Sequence, residues 1–146
     1  MKSEKEFVDC FIYSAVKQGG FAFKISAPTV SGLPDLYCAM PGFVPVLLEA
    51  KFIKDVGAKF KRKIDYSMLQ LNLMNNVNKV YSHSDDNAAF GLIGIRTDYE
   101  LYCKLMHPGV QIITHKDLNP GVNTIQDGNF IDVNLLFRHV VLSLQS

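Results

Sequence analysis

Asp35 and Glu49 stand on either side of Met40-Pro41-Gly42-Phe43, and Lys51 follows Glu49 by two positions. The four-residue segment is a turn signal between two apolar runs, so it predicts an antiparallel hairpin. With the turn centred on Gly42, positions 35 and 49 lie equally far from the centre and oppose each other. Their Cβ atoms would then be roughly 4.5–5.5 Å apart, on one face. Lys51 emerges on that same face, because side chains alternate along a strand. Opposed carboxylates repel, and apolar surroundings raise the cost. A divalent cation between them would relieve it. Hard oxygen donors at this spacing suit Mg²⁺, with the Ala50 carbonyl as a further ligand. Lys51 would orient or activate a metal-bound water, or neutralise charge developing on a phosphorane. The pattern alone leaves a second reading open, in which Asp35 caps a turn after Pro34 and Glu49 simply pairs with Lys51.

A basic stretch follows directly. Lys51, Lys54, Lys59, Lys61, Arg62 and Lys63 are opposed only by Asp55. Beside a metal site such a run would hold a phosphate backbone without reading its sequence; elsewhere it would be a solvated loop. Phe60 within it either stacks on a base or anchors the segment. The whole chain of 146 residues has no strong field of its own: 15 Lys+Arg against 14 Asp+Glu leave a net charge of +1. Nucleic-acid binding must therefore be local. Hydrophobic residues at 48% exclude a disordered chain. No apolar run approaches the ~20 residues of a membrane span. Acids in MKSEKEFVDC replace the apolar stretch of a secretory signal, so a cytoplasmic protein is expected. Cys10, Cys38 and Cys103 are too far apart for a C-x-x-C site and read as buried apolar residues. His83, His107, His115 and His139 show no ligand spacing, and no G-x-S-x-G supports a nucleophilic serine.

These groups need elements to position them. Residues 3–18 read as a helix capped by Ser3, with Glu6 as its capping-box acid and Gly19-Gly20 as its stop. A strand over 21–25 leads into the polar loop SAPTVSGLP. The hairpin strands span 35–39 and 44–52, followed by a loop over 56–63. A second helix is expected over 67–81, with Met68, Leu71, Met74 or Asn75, and Val77 on its inner side. A second hairpin joins 90–96 to 100–106, an edge strand covers 110–114, and 119–129 is irregular. A last helix over 132–144, apolar at Leu135, Leu136, Val140 and Leu144, either covers its own sheet or meets a second copy. The order predicts one α/β domain over 1–146, a mixed sheet flanked by helices.

Gly32-Leu-Pro-Asp35, the hairpin, and Leu48-Glu-Ala-Lys51 together resemble the G-x-P-D … E-x-K signature of the PD-(D/E)XK nuclease superfamily. The layout is similar to its Holliday junction resolvase-like and VRR-NUC branches, which include phage-encoded members, and the likeness covers roughly residues 2–106. It implies a restriction-endonuclease-like core, metal binding by Asp35 and Glu49, and a catalytic Lys51. It also implies an acid on the first helix; Glu4, followed by Phe7 and Val8, fits that pattern better than Glu6. Otherwise Glu4 is an ordinary first-turn acid favoured by the helix dipole. Gln70 matches the family's glutamine on the helix after the hairpin, although Ser67-x-x-Gln70 is also a capping box. Ser26, Thr29 and Ser31 occupy a loop where resolvase-like members present hydroxyls to phosphate. The implied activity is Mg²⁺-dependent hydrolysis of phosphodiester bonds in branched DNA, with Mn²⁺ as a substitute, serving recombination or repair. Cutting a four-way junction symmetrically requires a homodimer. The alternatives are a VRR-NUC or restriction-like enzyme acting on flaps or duplex, and a non-catalytic DNA-binding protein with a degenerate nuclease fold.

Overall fold

The computed structural model describes residues 3–26, 32–81, 88–97, 100–118 and 130–141. Helix α1 (Glu4–Lys17) leads into β1 (Phe21–Lys24), β2 (Leu36–Ala39) and the long β3 (Val46–Val56). A short β4 (Lys61–Lys63) precedes helix α2 (Met68–Tyr81), and then come β5 (Ala89–Thr97), β6 (Leu101–Met106) and β7 (Ile112–Thr114). A single 3-10 turn at His115–Asp117 and helix α3 (Val133–Val140) follow. The main sheet has five strands in the order β1-β2-β3-β5-β6. All its neighbours are antiparallel except β3 and β5, which run parallel, so the sheet is mixed as expected. Among the described residues no helix is long and apolar enough to cross a membrane.

Strand alternation sends the apolar residues to two cores. On one face Leu36, Cys38, Val46, Leu48, Ala50, Phe90 and Leu92 meet Phe7, Phe11 and Ala15 of α1 and Val133, Leu136 and Phe137 of α3. Phe7 stacks on Phe52, ring centroids 5.7 Å apart. Gly94 makes room for both rings, since a Cβ there would stand 2.8 Å from Phe52 and 2.9 Å from Phe7. On the other face Ala89, Ile93 and Ile95 meet Met74 of α2 together with Phe60, Ile64 and Tyr66. Strand β5 is buried on both sides from Ala89 to Ile95, which is why it reads as one apolar run.

Several expectations need correction. The basic segment is not a free loop, because Lys61–Lys63 forms a strand paired antiparallel with β7 in a separate two-stranded sheet. Residues 110–114 accordingly contain a strand, but it pairs with β4 and does not edge the main sheet. Phe60 anchors this ribbon: it is 9% exposed and packs edge-on to His115. It is no platform for a base. Met68 is 71% exposed, because it opens α2 before the helix reaches the sheet. The described part of α3 ends at Val140, and its apolar side covers its own chain through Val133, Leu136 and Phe137. Leu144, His83, Thr29, Ser31 and the segment 119–129 lie outside the described residues.

Candidate active site

The first hairpin sets the geometry. Gly42 adopts φ +84°, the left-handed conformation this turn requires, and Phe43 N–H closes the turn by donating to the Met40 carbonyl at 3.2 Å. The ladder Leu36↔Leu48, Tyr37↔Leu47, Cys38↔Val46 is symmetric about Gly42. Continued by one step, it sets Asp35 against Glu49. Beyond that point β3 pairs only with β5, so the N–H of Ala50 has no strand partner on the β2 edge. Asp35 supplies one: its Oδ2 accepts from Ala50 N–H at 3.1 Å. In an extended strand a residue's N–H and C=O point to the same edge, which directs the Ala50 carbonyl to the same opening. Asp35 therefore caps a strand, not a turn after Pro34.

Glu49 lies deeper. It is only 2% exposed, because β2 and β5 flank it and it pairs with Gly91 across the parallel ladder. Oε1 accepts from Gln70 Nε2 at 2.6 Å, and Lys51 Nζ stands 3.8 Å away. Oε2 is buried with no hydrogen-bond partner among the described residues. Burial, then the negative charge of Asp35, push the Glu49 carboxyl up to about 8; Lys51 and the Asp35 backbone N–H oppose the shift, and a carboxyl–carboxyl contact with Asp35 adds to it. The two acids thus face one another closely enough to interact directly.

Gln70 closes the cap that its spacing predicts and also reaches Glu49. Its Oε1 accepts from Ser67 N–H at 2.8 Å while Ser67 Oγ accepts from Gln70 N–H at 3.1 Å, a closed capping box at the start of α2. The remaining amide nitrogen reaches Glu49, and Lys51 Nζ donates to Gln70 Oε1 at 3.4 Å. Helix α2 is thereby tied to the carboxylate. The Lys51 ammonium also sits 5.9 Å above the ring of Tyr66.

Glu4 comes to the open edge from α1. Partial burial raises its carboxyl, Lys51 and the Phe52 backbone N–H favour its charged form, and Asp35 opposes it. Glu6 is exposed, as Glu4 is, and its backbone N–H donates to Ser3 Oγ at 3.2 Å. The structure brings Glu4 near Asp35 and Lys51. Glu4 and Asp35 also line a cleft of about 280 Å³ with Lys5, Val8, Lys24 and Ile25. Lys5 and Lys24 are both held by Asp9, at 3.2 and 2.9 Å.

The remaining candidates lie further out. Lys54, Lys59, Lys61, Arg62 and Lys63 are exposed. Lys61, Arg62 and Lys63 line a groove of about 400 Å³ with Gln111 and Ile112. Ser26 is exposed just past β1. Burial raises the thiols of Cys10, Cys38 and Cys103, with Cys38 reaching about 12, so none is a poised nucleophile. Sequence reasoning missed Tyr66, whose buried hydroxyl has no hydrogen-bond partner among the described residues and lies within reach of the Glu49 charge. Its only signal was proximity to Gln70 in the chain.

Among the described residues no group of three or more His, Cys, Asp or Glu is drawn together as a metal site of side chains alone. The donors at this edge are the carboxylates of Asp35 and Glu49 and, by strand geometry, the Ala50 carbonyl. Such a set fits a hard divalent cation that keeps several waters. No family model matches the chain, and no curated protein matches it. Among solved structures, Hjc, a Holliday junction resolvase from the archaeal hyperthermophile Archaeoglobus fulgidus, superimposes with a TM-score of 0.47 and 9% identity. The match covers 97% of this chain and 91% of that one.

Proposed function

We propose that this chain is a divalent-metal-dependent DNA endonuclease of the PD-(D/E)XK superfamily, hydrolysing phosphodiester bonds in branched DNA. One observation carries the reading: Glu49, almost wholly buried and close to the carboxyl of Asp35, keeps an oxygen without a hydrogen-bond partner among the described residues. Two acids confined together are costly without counter-charge, and Lys51 lies at the other Glu49 oxygen. Asp35, Glu49 and the Ala50 carbonyl would hold Mg²⁺, with Mn²⁺ as a substitute. When bound, the ion supplies counter-charge and makes a coordinated water acidic enough to react near neutral pH. Lys51 is placed to hold a phosphate oxygen or steer the attacking water. Gln70 fixes the Glu49 carboxylate, and Glu4 adds a further acid at the open edge. In-line attack of water forms a new P–O bond and breaks the bond to the 3′ oxygen. The water loses its proton, the leaving oxygen gains one, and 5′-phosphate and 3′-hydroxyl ends result.

Lys54, Lys59, Lys61, Arg62 and Lys63 would hold the backbone of the duplex, with Ser26, Thr29 and Ser31 as lesser contacts. A four-way junction is cut symmetrically only by two sites, which implies a homodimer. The test compares a four-way junction, a flap and a linear duplex in Mg²⁺, Mn²⁺ and chelator, using wild type and Asp35→Asn. The expected result is metal-dependent cutting of the junction by wild type, with binding but no cutting by the variant. Cutting that survives chelator or Asp35→Asn would overturn the mechanism. A preference for flaps or duplex would favour a VRR-NUC or restriction-like enzyme, and binding without cutting in any metal would favour a degenerate nuclease fold.

A further inference from the structure

Among the described residues two buried polar side-chain atoms have no hydrogen-bond partner, Glu49 Oε2 and Tyr66 Oη. Tyr66 precedes α2 by two positions and is 7% exposed. Its hydroxyl occupies the space of a missing side chain, because a Cβ on Gly91 would collide with Oη. Gly91 is the ladder partner of Glu49, so that space lies on the same face as the Glu49 side chain and one strand away. The Tyr66 hydroxyl also senses the Glu49 charge. The ring below it faces the Lys51 ammonium at 5.9 Å. An ordinary core position would favour Phe here, since a buried hydroxyl without a partner is destabilising.

We infer that Tyr66 is a positioning residue for Glu49, acting in the metal-loaded state by donating its O–H to Oε2. This inference rests on the metal-dependent reading of the site. An ionised carboxylate offers about four lone-pair positions. Gln70 takes one on Oε1, Tyr66 takes one on Oε2, and the rest remain for the cation and Lys51. Held at both oxygens, the carboxylate cannot rotate about its last bond, and its donor set meets the ion in one orientation. Outer-shell hydrogen bonds of this kind typically affect metal affinity or activity by about 10–100-fold.

Tyr66→Phe deletes only the hydroxyl and tests the assignment in the full chain. Mn²⁺ binding is followed by electron paramagnetic resonance without DNA, cleavage of a four-way junction is followed over a metal titration, and unfolding is followed in chelator. The expected variant binds Mn²⁺ about tenfold more weakly and cuts about tenfold more slowly at saturating metal, with KM for DNA unchanged. Its melting temperature in chelator is equal to wild type or higher, which a merely structural hydroxyl would not give. Equal Mn²⁺ affinity and equal cleavage in the two proteins overturn the role of Tyr66 while leaving the proposed function intact. So does a lower melting temperature with unchanged Mn²⁺ affinity. A wild-type protein that neither binds Mn²⁺ nor cuts DNA overturns the proposed function, and this inference with it.

Discussion

Asn78 and Glu49 are both buried polar residues on the α2 side of the sheet, 7% and 2% exposed, and their surroundings treat them in opposite ways. Asn78 is complete: Nδ2 donates to the Ala89 carbonyl at 3.1 Å, and Oδ1 accepts from Ala88 N–H at 2.9 Å and Ala89 N–H at 2.8 Å. It pins the start of β5 to α2. The same holds across the sheet, where Ser14 Oγ accepts from Ile131 N–H at 3.0 Å and Gln18 bridges to Ile131 and Asn134. Glu49 is left open at Oε2, beside another acid. A fold that satisfies Asn78, Ser14 and Gln18 but, among the described residues, leaves Glu49 Oε2 and the Tyr66 hydroxyl unsatisfied has the open bonding that the proposed ligand site requires.

The comparison breaks or holds on paired substitutions. Glu49→Gln keeps the shape and the bond from Gln70 while removing the charge. Cleavage should fall by about a thousandfold or more, since the ion loses one of two carboxylates. Its melting temperature in chelator at pH 8 should not drop. A clear drop would place Glu49 with Asn78, as a structural group. Asn78→Ala should do the reverse. It strands two backbone N–H groups and a carbonyl in the interior, costing about 2–4 kcal/mol in chemical denaturation. The folded fraction should cut at the wild-type rate.

Proton linkage sharpens the contrast, because Asn78 cannot titrate and Glu49 can. The Glu49 carboxyl lies at about 8 in the fold against an ordinary 4.5. Between those values the folded chain holds a proton that the unfolded chain has released. Stability in chelator should therefore decline as pH rises from about 5 to 8, by about 1–3 kcal/mol, and level off above that. Below the ordinary carboxylate range both states are protonated and the dependence vanishes. Mg²⁺ should flatten the decline, since ion and proton compete for one carboxylate. Equilibrium denaturation across that range, with chelator and then with Mg²⁺, reads the effect. A decline that is the same with and without the ion would count against Glu49 as a ligand.

The convergence of Asp35, Glu49 and Lys51 was legible because a hairpin symmetric about Gly42 needs only local chemistry to fix its register. Glu4 was legible through Phe7 and Val8, which do face the core. Gln70 was legible as a cap, and its amide also reaches Glu49, where the resemblance implied a place for it. The depth of Glu49 was not legible. It comes from parallel pairing with β5, a neighbour distant in sequence, and from a tyrosine lying over Gly91. The strand at Lys61–Lys63 was hidden for a related reason: three consecutive basic residues carry no alternation, and the pattern that defines the ribbon belongs to its partner, where Ile113 is buried and Ile112 is 48% exposed.

That ribbon supplies the last and smallest test, at a region with neither a buried polar group nor an open one. Lys61, Arg62 and Lys63 are exposed on both sides of β4, while Phe60 and Ile64 anchor its ends in the core. Replacing one cation, as in Arg62→Ala, should free one DNA phosphate from its counter-charge without loosening the fold. DNA affinity should weaken about threefold to tenfold, alike for different sequences, because groups that touch only phosphate carry no base information. The slope of log affinity against log salt should become shallower by about 0.9 for each duplex phosphate no longer neutralised. Stability should stay within about 0.5 kcal/mol of wild type, as for an exposed position away from caps and networks. An unchanged salt slope would leave β4 as a solvated ribbon and move the DNA path elsewhere, for example along the cleft of Lys5 and Lys24 beside Asp35.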